Sequence, residues 1–427
     1  MTVIADNPRL SLLARLRDPA AWVRTADILA VLVALSLPWS TSLVAIFAVM
    51  MLIAMGPFLD VGAFLRSLKR PICAAPLALF VLALVGTLWS DAAWGARLYA
   101  VGPTVKLLVL PILFHHFSRS QRGLWVFIAF LVSCTLMVTA SWIVALDPAL
   151  TLKARDVASR GIFVKNYIDQ SQEFALCAVA LAYPIVMLSR AKRIAFALLL
   201  CLLALSFIAN MAFVIVSRTA LVTMPIMLAV FGLLHLRWRT NLAILCAAAV
   251  LGVTAWAASS QLERTVQTFS RDYQLYKEQG ASTSIGERLE FWQKSLRFFA
   301  DAPVFGHGTG STRGLFEHAA SGPAGHATAE VIGNPHNQTL NVAVQWGVLG
   351  IVALYAMWLS HLLLFRGDGA ANWIGLLVVV QNIFTSLFNS HIFDFHEGWM
   401  YVLGVGVAGG MVLKARATEE AEAASSS

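Results

Sequence analysis

Apolar residues run through this chain in long blocks, separated by short polar turns. A helix needs about 20 mostly apolar residues to cross a bilayer. Twelve blocks approach that length, at 25–39, 41–58, 72–90, 99–117, 123–146, 171–189, 194–216, 219–236, 242–259, 338–364, 371–390 and 397–414. The first two share a tight hinge at Pro38. A long polar interval, from about Ser260 to Asn337, separates the ninth block from the tenth. The pattern predicts an all-α, polytopic integral membrane protein. Spans one to nine occupy 1–259, a helical segment outside the membrane 260–337, and spans ten to twelve 338–414. The remaining stretch, 415–427, reads as a disordered cytoplasmic tail, because Glu419 to Ser427 is polar and low in complexity.

Composition turns that pattern into an exclusion. Soluble domains are nearer half apolar and a quarter charged. At 59% hydrophobic and 13% charged, this chain cannot cover the surfaces of a soluble enzyme. The formal net charge of +8 would suit nucleic acid, but not embedded in so much apolar sequence. The five cysteines all sit in apolar blocks without metal-ligand spacing and read as small buried hydrophobes. No cleavable signal peptide is evident. The first twenty-odd residues are polar and carry Arg9, Arg15, Arg17 and Arg24.

The charge is informative through its distribution. Basic residues in short loops favour the cytoplasmic side. With both termini in the cytoplasm, that side receives the four N-terminal arginines, Arg66/Lys69/Arg70, Arg119/Arg122, Arg190/Lys192/Arg193, Arg237/Arg239, Arg366 and Lys414/Arg416. These are 17 of the 31 basic residues. Two outer stretches hold basic residues that topology does not require: Asp147–Gln170, with Lys153, Arg155, Arg160 and Lys165, and the long segment, with seven. Basic residues kept there are candidates for binding an anion. Lys106, inside the fourth block, must face protein or water if it is embedded.

Three placements outside the lipid suggest chemistry. Ser217-Arg218-Thr219 fills a very short outer turn. In the long segment, Ser284-Ile-Gly-Glu287 fits a capping box, and a helix follows to about Ala300. Its predicted packed face is Leu289, Trp292, Leu296 and Phe299, with Arg288 in the first turns. Gly306-His-Gly308-Thr-Gly310 then forms a loop whose backbone can approach another group closely, though not at P-loop or dinucleotide spacing. Asn334-Pro335-His336-Asn337 opens span ten, with Asn334 suited to cap the helix and Pro335 to its first position. His336 would lie at a helix N-terminus, which disfavours imidazolium and leaves a neutral imidazole available as a base. Asp394, in the outer turn His391-Ile-Phe-Asp394-Phe-His396-Glu397, is one of few carboxylates near a span end. His307, His318 and His326 have no such placement, and His391 and His396 read as structural.

Together these features resemble the O-antigen ligase family, bacterial inner-membrane enzymes of glycosyltransferase C-type architecture. The resemblance rests on the Ser217-Arg218-Thr219-Ala220 turn and on Gly286-Glu-Arg288-Leu-Glu-Phe-Trp292 running to the glycine loop. It rests also on Pro335-His336-Asn337 with the helix through Gly347 and Gly350, and on the twelve-span plan. It implies transfer of a glycan from undecaprenyl diphosphate to a sugar hydroxyl of lipid A–core, at a site facing the periplasm. It also implies that Arg218 and Arg288 engage the diphosphate and that His336 acts on the acceptor. Arg160, Lys165, Asp394 and Asn337 are possible supporting residues.

The residues are consistent with that chemistry. The chain has no Asp-x-Asp and no zinc spacing, and no metal or other cofactor is expected. Guanidinium groups can neutralise a departing diphosphate in place of a metal, because they match phosphate oxygens and stay charged. A diphosphate leaves without an acid, so one base suffices for an inverting displacement. The expected partners are the lipid-linked glycan, lipid A–core and membrane lipids, with no nucleic acid. O-antigen polymerases and protein O-oligosaccharyltransferases share the superfamily and the donor. The latter tend to carry an added C-terminal region, which the short stretch after span twelve does not match. A lipid or glycan transporter fits less well, since few charges fall mid-span and no internal repeat is visible.

Overall fold

The computed structural model describes residues 18–152 and 161–426. It is helical throughout, and among the described residues the only strand-like pairing is an isolated bridge between Ala281 and His326. In chain order the helices are α1 (Pro19–Ser36), α2 (Thr41–Met55), α3 (Val61–Ser67), α4 (Pro71–Val85), α5 (Trp94–Val101), α6 (Val109–Phe117) and α7 (Gly123–Leu146). There follow α8 (Tyr167–Ala180), α9 (Ala182–Arg190), α10 (Ile194–Phe213), α11 (Arg218–His235), α12 (Trp238–Ala258) and α13 (Ser260–Gln279). The last are α14 (Ser284–Asp301), α15 (Thr312–His318), α16 (Gln338–Leu364), α17 (Ala370–Thr385) and α18 (Phe395–Ser426).

All twelve predicted blocks coincide with helix. Among the described residues nine helical stretches are long and apolar enough to cross a membrane, or ten if α3 and α4, bent by 82°, form one span. The chain is a multi-pass membrane protein. Its outward side chains include Ile53, Leu198 and Leu202, all exposed, which is the surface hydrocarbon would cover. The tail departs from expectation: α18 continues to Ser426, so 415–426 are helical. Alanine and glutamate are strong helix formers, so Ala-Thr-Glu-Glu-Ala-Glu-Ala-Ala extends a helix already nucleated within the bundle.

Small residues set the tightest packing. A Cβ on Gly406 would come within 2.6 Å of Leu113, on Gly409 within 2.3 Å of Phe114, and on Gly410 within 2.5 Å of Phe117. These glycines seat α18 directly on α6, the close approach that small residues permit between membrane helices. Three of the basic residues expected to share a side are tied to neighbouring elements. Arg122 lies 4.0 Å from Asp27, Lys414 donates to the Ser120 carbonyl, and Arg416 donates to the Leu364 carbonyl.

The glycine-rich loop is a structural plug. Helix α16 breaks at Gly347, whose φ of 59° and ψ of −148° lie outside the helical region. The loop docks into that break. His307 N–H donates to Val344 O (2.9 Å), Gly308 N–H to Gln345 O (2.8 Å), and Val348 N–H to Pro303 O (2.8 Å). Thr309 hydroxyl donates to Ala83 O (2.6 Å) and accepts from Trp346 Nε1 (2.8 Å), tying α4 to α16. A broken membrane helix is tolerable where its freed polar groups find such partners.

Candidate functional site

The long segment builds two walls of the site. Thr283 caps α14, its hydroxyl accepting from Gly286 N–H at 3.2 Å. The cap is therefore one residue earlier than the predicted Ser284, and Glu287 instead accepts from Ser282 Oγ at 2.5 Å. The packed face is also rotated from the predicted one. Leu289 and Leu296 are exposed, while Glu290, Phe291, Lys294, Ser295 and Phe298 are buried. Phe291 and Phe298 pack edge-on against Phe316, beside Val344 of α16. That docking fixes the rotation of α14, and periodicity among its many apolar residues could not. Arg288 sits half-buried on the flank.

Arg218 opens α11, and both arginines line one polar pocket of about 340 Å³ with Ser217, Thr219, Tyr167 and Ser284. Helix α13 supplies its remaining wall through Arg264, Thr265 and Thr268. Arg218 Nη2 lies 3.3 Å from Asp272 Oδ2, while its Nη1 is buried without a hydrogen-bond partner. Arg288 makes no hydrogen bond or ion pair with any described residue. Burial, and then the charge of Arg218, hold its pKa below the usual arginine value. Two guanidinium groups that repel each other beside a polar pocket are an arrangement that can bind an anion.

His336 is not part of the pocket lining, but it lies near enough for the Arg288 charge to act on it. Its placement differs from the predicted one. Helix α16 starts at Gln338 and its cap is Asn337, whose Oδ1 accepts from Leu340 N–H at 3.0 Å. Asn334 Oδ1 instead accepts from His336 N–H (3.0 Å) and from Ser390 Oγ (2.7 Å). His336 thus precedes the cap, with a left-handed φ of 52° that is uncommon outside glycine and recurrent at functional sites. Asn337 acts through the helix start.

A hydrogen-bonded chain orients the imidazole. Asn389 Nδ2 donates to Asp394 Oδ2 at 2.6 Å, which turns Asn389 Oδ1 toward His336 Nδ1 at 2.9 Å. Asn334 Nδ2 donates to the same oxygen at 3.2 Å. The oxygen can only accept, so Nδ1 carries the proton and Nε2 keeps the lone pair. Burial holds the His336 pKa below the ordinary histidine value, opposed by the Asn389 bond and helped by Arg288. The imidazole is therefore held with Nε2 free to accept a proton, near the arginine-lined pocket.

Asp394 is pushed up to about 6, chiefly by burial and by Glu397, against the pull of His391 and Lys106. Lys106 is buried and faces the protein interior, donating to the carbonyls of Phe393 (3.4 Å) and Asp394. His391, Asp394 and Glu397 have ligand atoms within 4.8 Å of one another, a spacing a metal could use. The ammonium of Lys106 on the same turn already supplies positive charge there.

Several residues fall outside the expectation. Arg160 lies outside the described residues. Lys165 turns into the bundle, donating to the Leu37 carbonyl, and does not line the arginine pocket. Burial lowers its pKa, opposed by Glu173 and Asp169. The sequence reading missed Asn389, Arg264 and Asp272, and also the buried polar run Asp169-Gln-Ser-Gln-Glu173, where Asp169 meets His396 at 2.6 Å. Five consecutive polar residues opening an apolar block were its available signal. A larger cavity of about 710 Å³, lined by residues such as Phe127, Leu181, Trp373 and Met400, is almost wholly apolar.

Residues 203–355 match the family described as O-Antigen ligase. The matched stretch contains Arg218, Arg264, Asp272, Arg288 and His336, and ends before Asn389 and Asp394. A Haemophilus influenzae protein described as uncharacterized is 25% identical over 154 residues, 35% of this chain. The chain spans only 39% of that relative's length.

Proposed function

We propose that this chain, whose residues 203–355 match the O-antigen ligase family, shared with polymerases and related enzymes, carries out the ligase reaction itself. The family points to glycosyl transfer of the ligase or polymerase type. In the proposed reaction, a glycan on undecaprenyl diphosphate passes to a sugar hydroxyl of lipid A–core. The proposed setting is the bacterial inner membrane, with both termini in the cytoplasm and the site facing the periplasm.

The carrying observation is the pairing of two guanidinium groups in a polar pocket with a nearby neutral base. Arg218 and Arg288 hold the diphosphate. Their attraction grows as negative charge builds on the leaving oxygen. The acceptor hydroxyl attacks the anomeric carbon while His336 Nε2 takes its proton. The bond from that carbon to the diphosphate breaks, and undecaprenyl diphosphate leaves with the electron pair. One displacement inverts the anomeric configuration. Asn389 and Asp394 are positioning residues, holding Nδ1 protonated so that Nε2 can accept. No step requires a metal or other cofactor.

Reconstitution of the full chain with purified lipid-linked glycan tests this reading. With both lipid A–core and a second lipid-linked glycan present, product is expected on lipid A–core. Extension only of the second lipid-linked chain would identify a polymerase instead.

A further inference from the structure

The pocket has a third cation. Arg264, Thr265 and Thr268 all line it, and Asp272 lies one further turn along the same stripe of α13. The orientation of that stripe is fixed independently. Asp272 pairs with Arg218, the Phe269 ring lies 6.0 Å from the Arg218 guanidinium, and the Asp272 carbonyl accepts from Thr283, the cap of α14. Arg264 is thus held at the pocket by contacts made elsewhere on its helix. Its own bonds are to Ser260 one turn back, at 3.0 Å to the carbonyl and 3.3 Å to the hydroxyl, and it makes no ion pair with a described residue. Exposed bonds of this kind are cheap to exchange for a phosphate.

Charge balance gives the third arginine a purpose. A glycosylated diphosphate carries one negative charge on each phosphate. Arg218 and Arg288 supply two positive charges, but Asp272 already offsets one. Arg264 restores the match. A lipid monophosphate carries nearly as much charge but on a single phosphate group, so it engages fewer of the three guanidinium groups.

We infer that Arg264 is a third diphosphate-binding arginine, and that it makes the pocket prefer a diphosphate over a monophosphate. This rests on the reading that the pocket takes the donor's diphosphate. It adds a residue and a selectivity to that reading.

The test is equilibrium binding of undecaprenyl diphosphate and undecaprenyl phosphate to the purified full-length protein in nanodiscs, without acceptor. Arg264→Gln should weaken diphosphate binding about tenfold, the scale of one lost charge-assisted contact, and leave monophosphate binding within about twofold. Arg264→Lys should fall between wild type and Arg264→Gln, because it keeps the charge without the fork. An Arg264→Gln protein with unchanged diphosphate affinity would overturn the inference, as would an equal loss for both lipids. Wild-type protein that binds neither lipid would instead overturn the diphosphate reading itself. A melting temperature unchanged from wild type would show that any loss is not one of folding.

Discussion

His336 can act as a base in one tautomer only, and Asn389 sets it. The Asn389 amide is itself oriented by Asp394, at 2.6 Å. Removing such a supporting partner typically costs about 10–100-fold. Asn389→Ala should therefore lower kcat by about that factor while the donor KM, set by the arginines, stays near wild type. The pH profile follows from the same chain. Acid protonates His336 and removes the base. Because burial lowers its pKa, this loss should lie below the ordinary histidine value of about 6.5. Asp394 adds a second component at about 6, where protonation weakens its hold on Asn389. In Asp394→Asn the component near 6 should vanish and leave the His336 limb alone. An unchanged acid limb would remove Asp394 from the chain. Arg218, His336 and Asp394 stood out in the sequence as candidates because charged or basic side chains at span ends contrast with apolar blocks, and Arg288 because it follows a capping pattern in the long segment. Asn389 did not stand out, since a neutral amide near a span end reads as a cap.

Helices were legible wherever hydropathy alone determines them. Span ten, read at 338–364, matches α16 residue for residue, and span five matches α7. Features set by docking were not legible. The packed face of α14 turns on where Phe291 and Phe298 meet Phe316, and the break in α16 on where the glycine loop inserts. Gly347 carries that break, since its positive φ disfavours a side chain and an added Cβ would come within 2.4 Å of the Val304 backbone. Gly347→Val should lower the thermal midpoint in detergent, through a strain of roughly 1–3 kcal/mol or more. Gly252, inside α12 with no atom within 4 Å of an added Cβ, provides the comparison: Gly252→Ala should hold the midpoint or raise it slightly, since alanine is the better helix former. Equal midpoints for Gly347→Val and wild type would mean that the loop does not lock α16.

At the scale of the whole molecule, the bundle brings distant stretches to one end. His336 and Asn389 lie 53 residues apart, and Arg218 and Asp272 lie 54 apart. The membrane orders these contacts, because apolar blocks fix which turns share an end while the polar segment between α12 and α16 folds back over that end. The apolar blocks were therefore readable, but the meeting of α11, α13 and α14 around one pocket was not. In the proposed reaction, arginines and a neutral histidine, without a metal, carry a single displacement on a lipid-linked diphosphate. This is tested by the anomeric configuration of the new glycosidic bond, read by NMR on product made by the reconstituted protein in excess chelator. Product is expected at the unchelated rate with configuration inverted relative to the donor, with a loss of about 10²–10⁴-fold in His336→Ala. Retained configuration, or product only when divalent cation is restored, would contradict the proposed reaction.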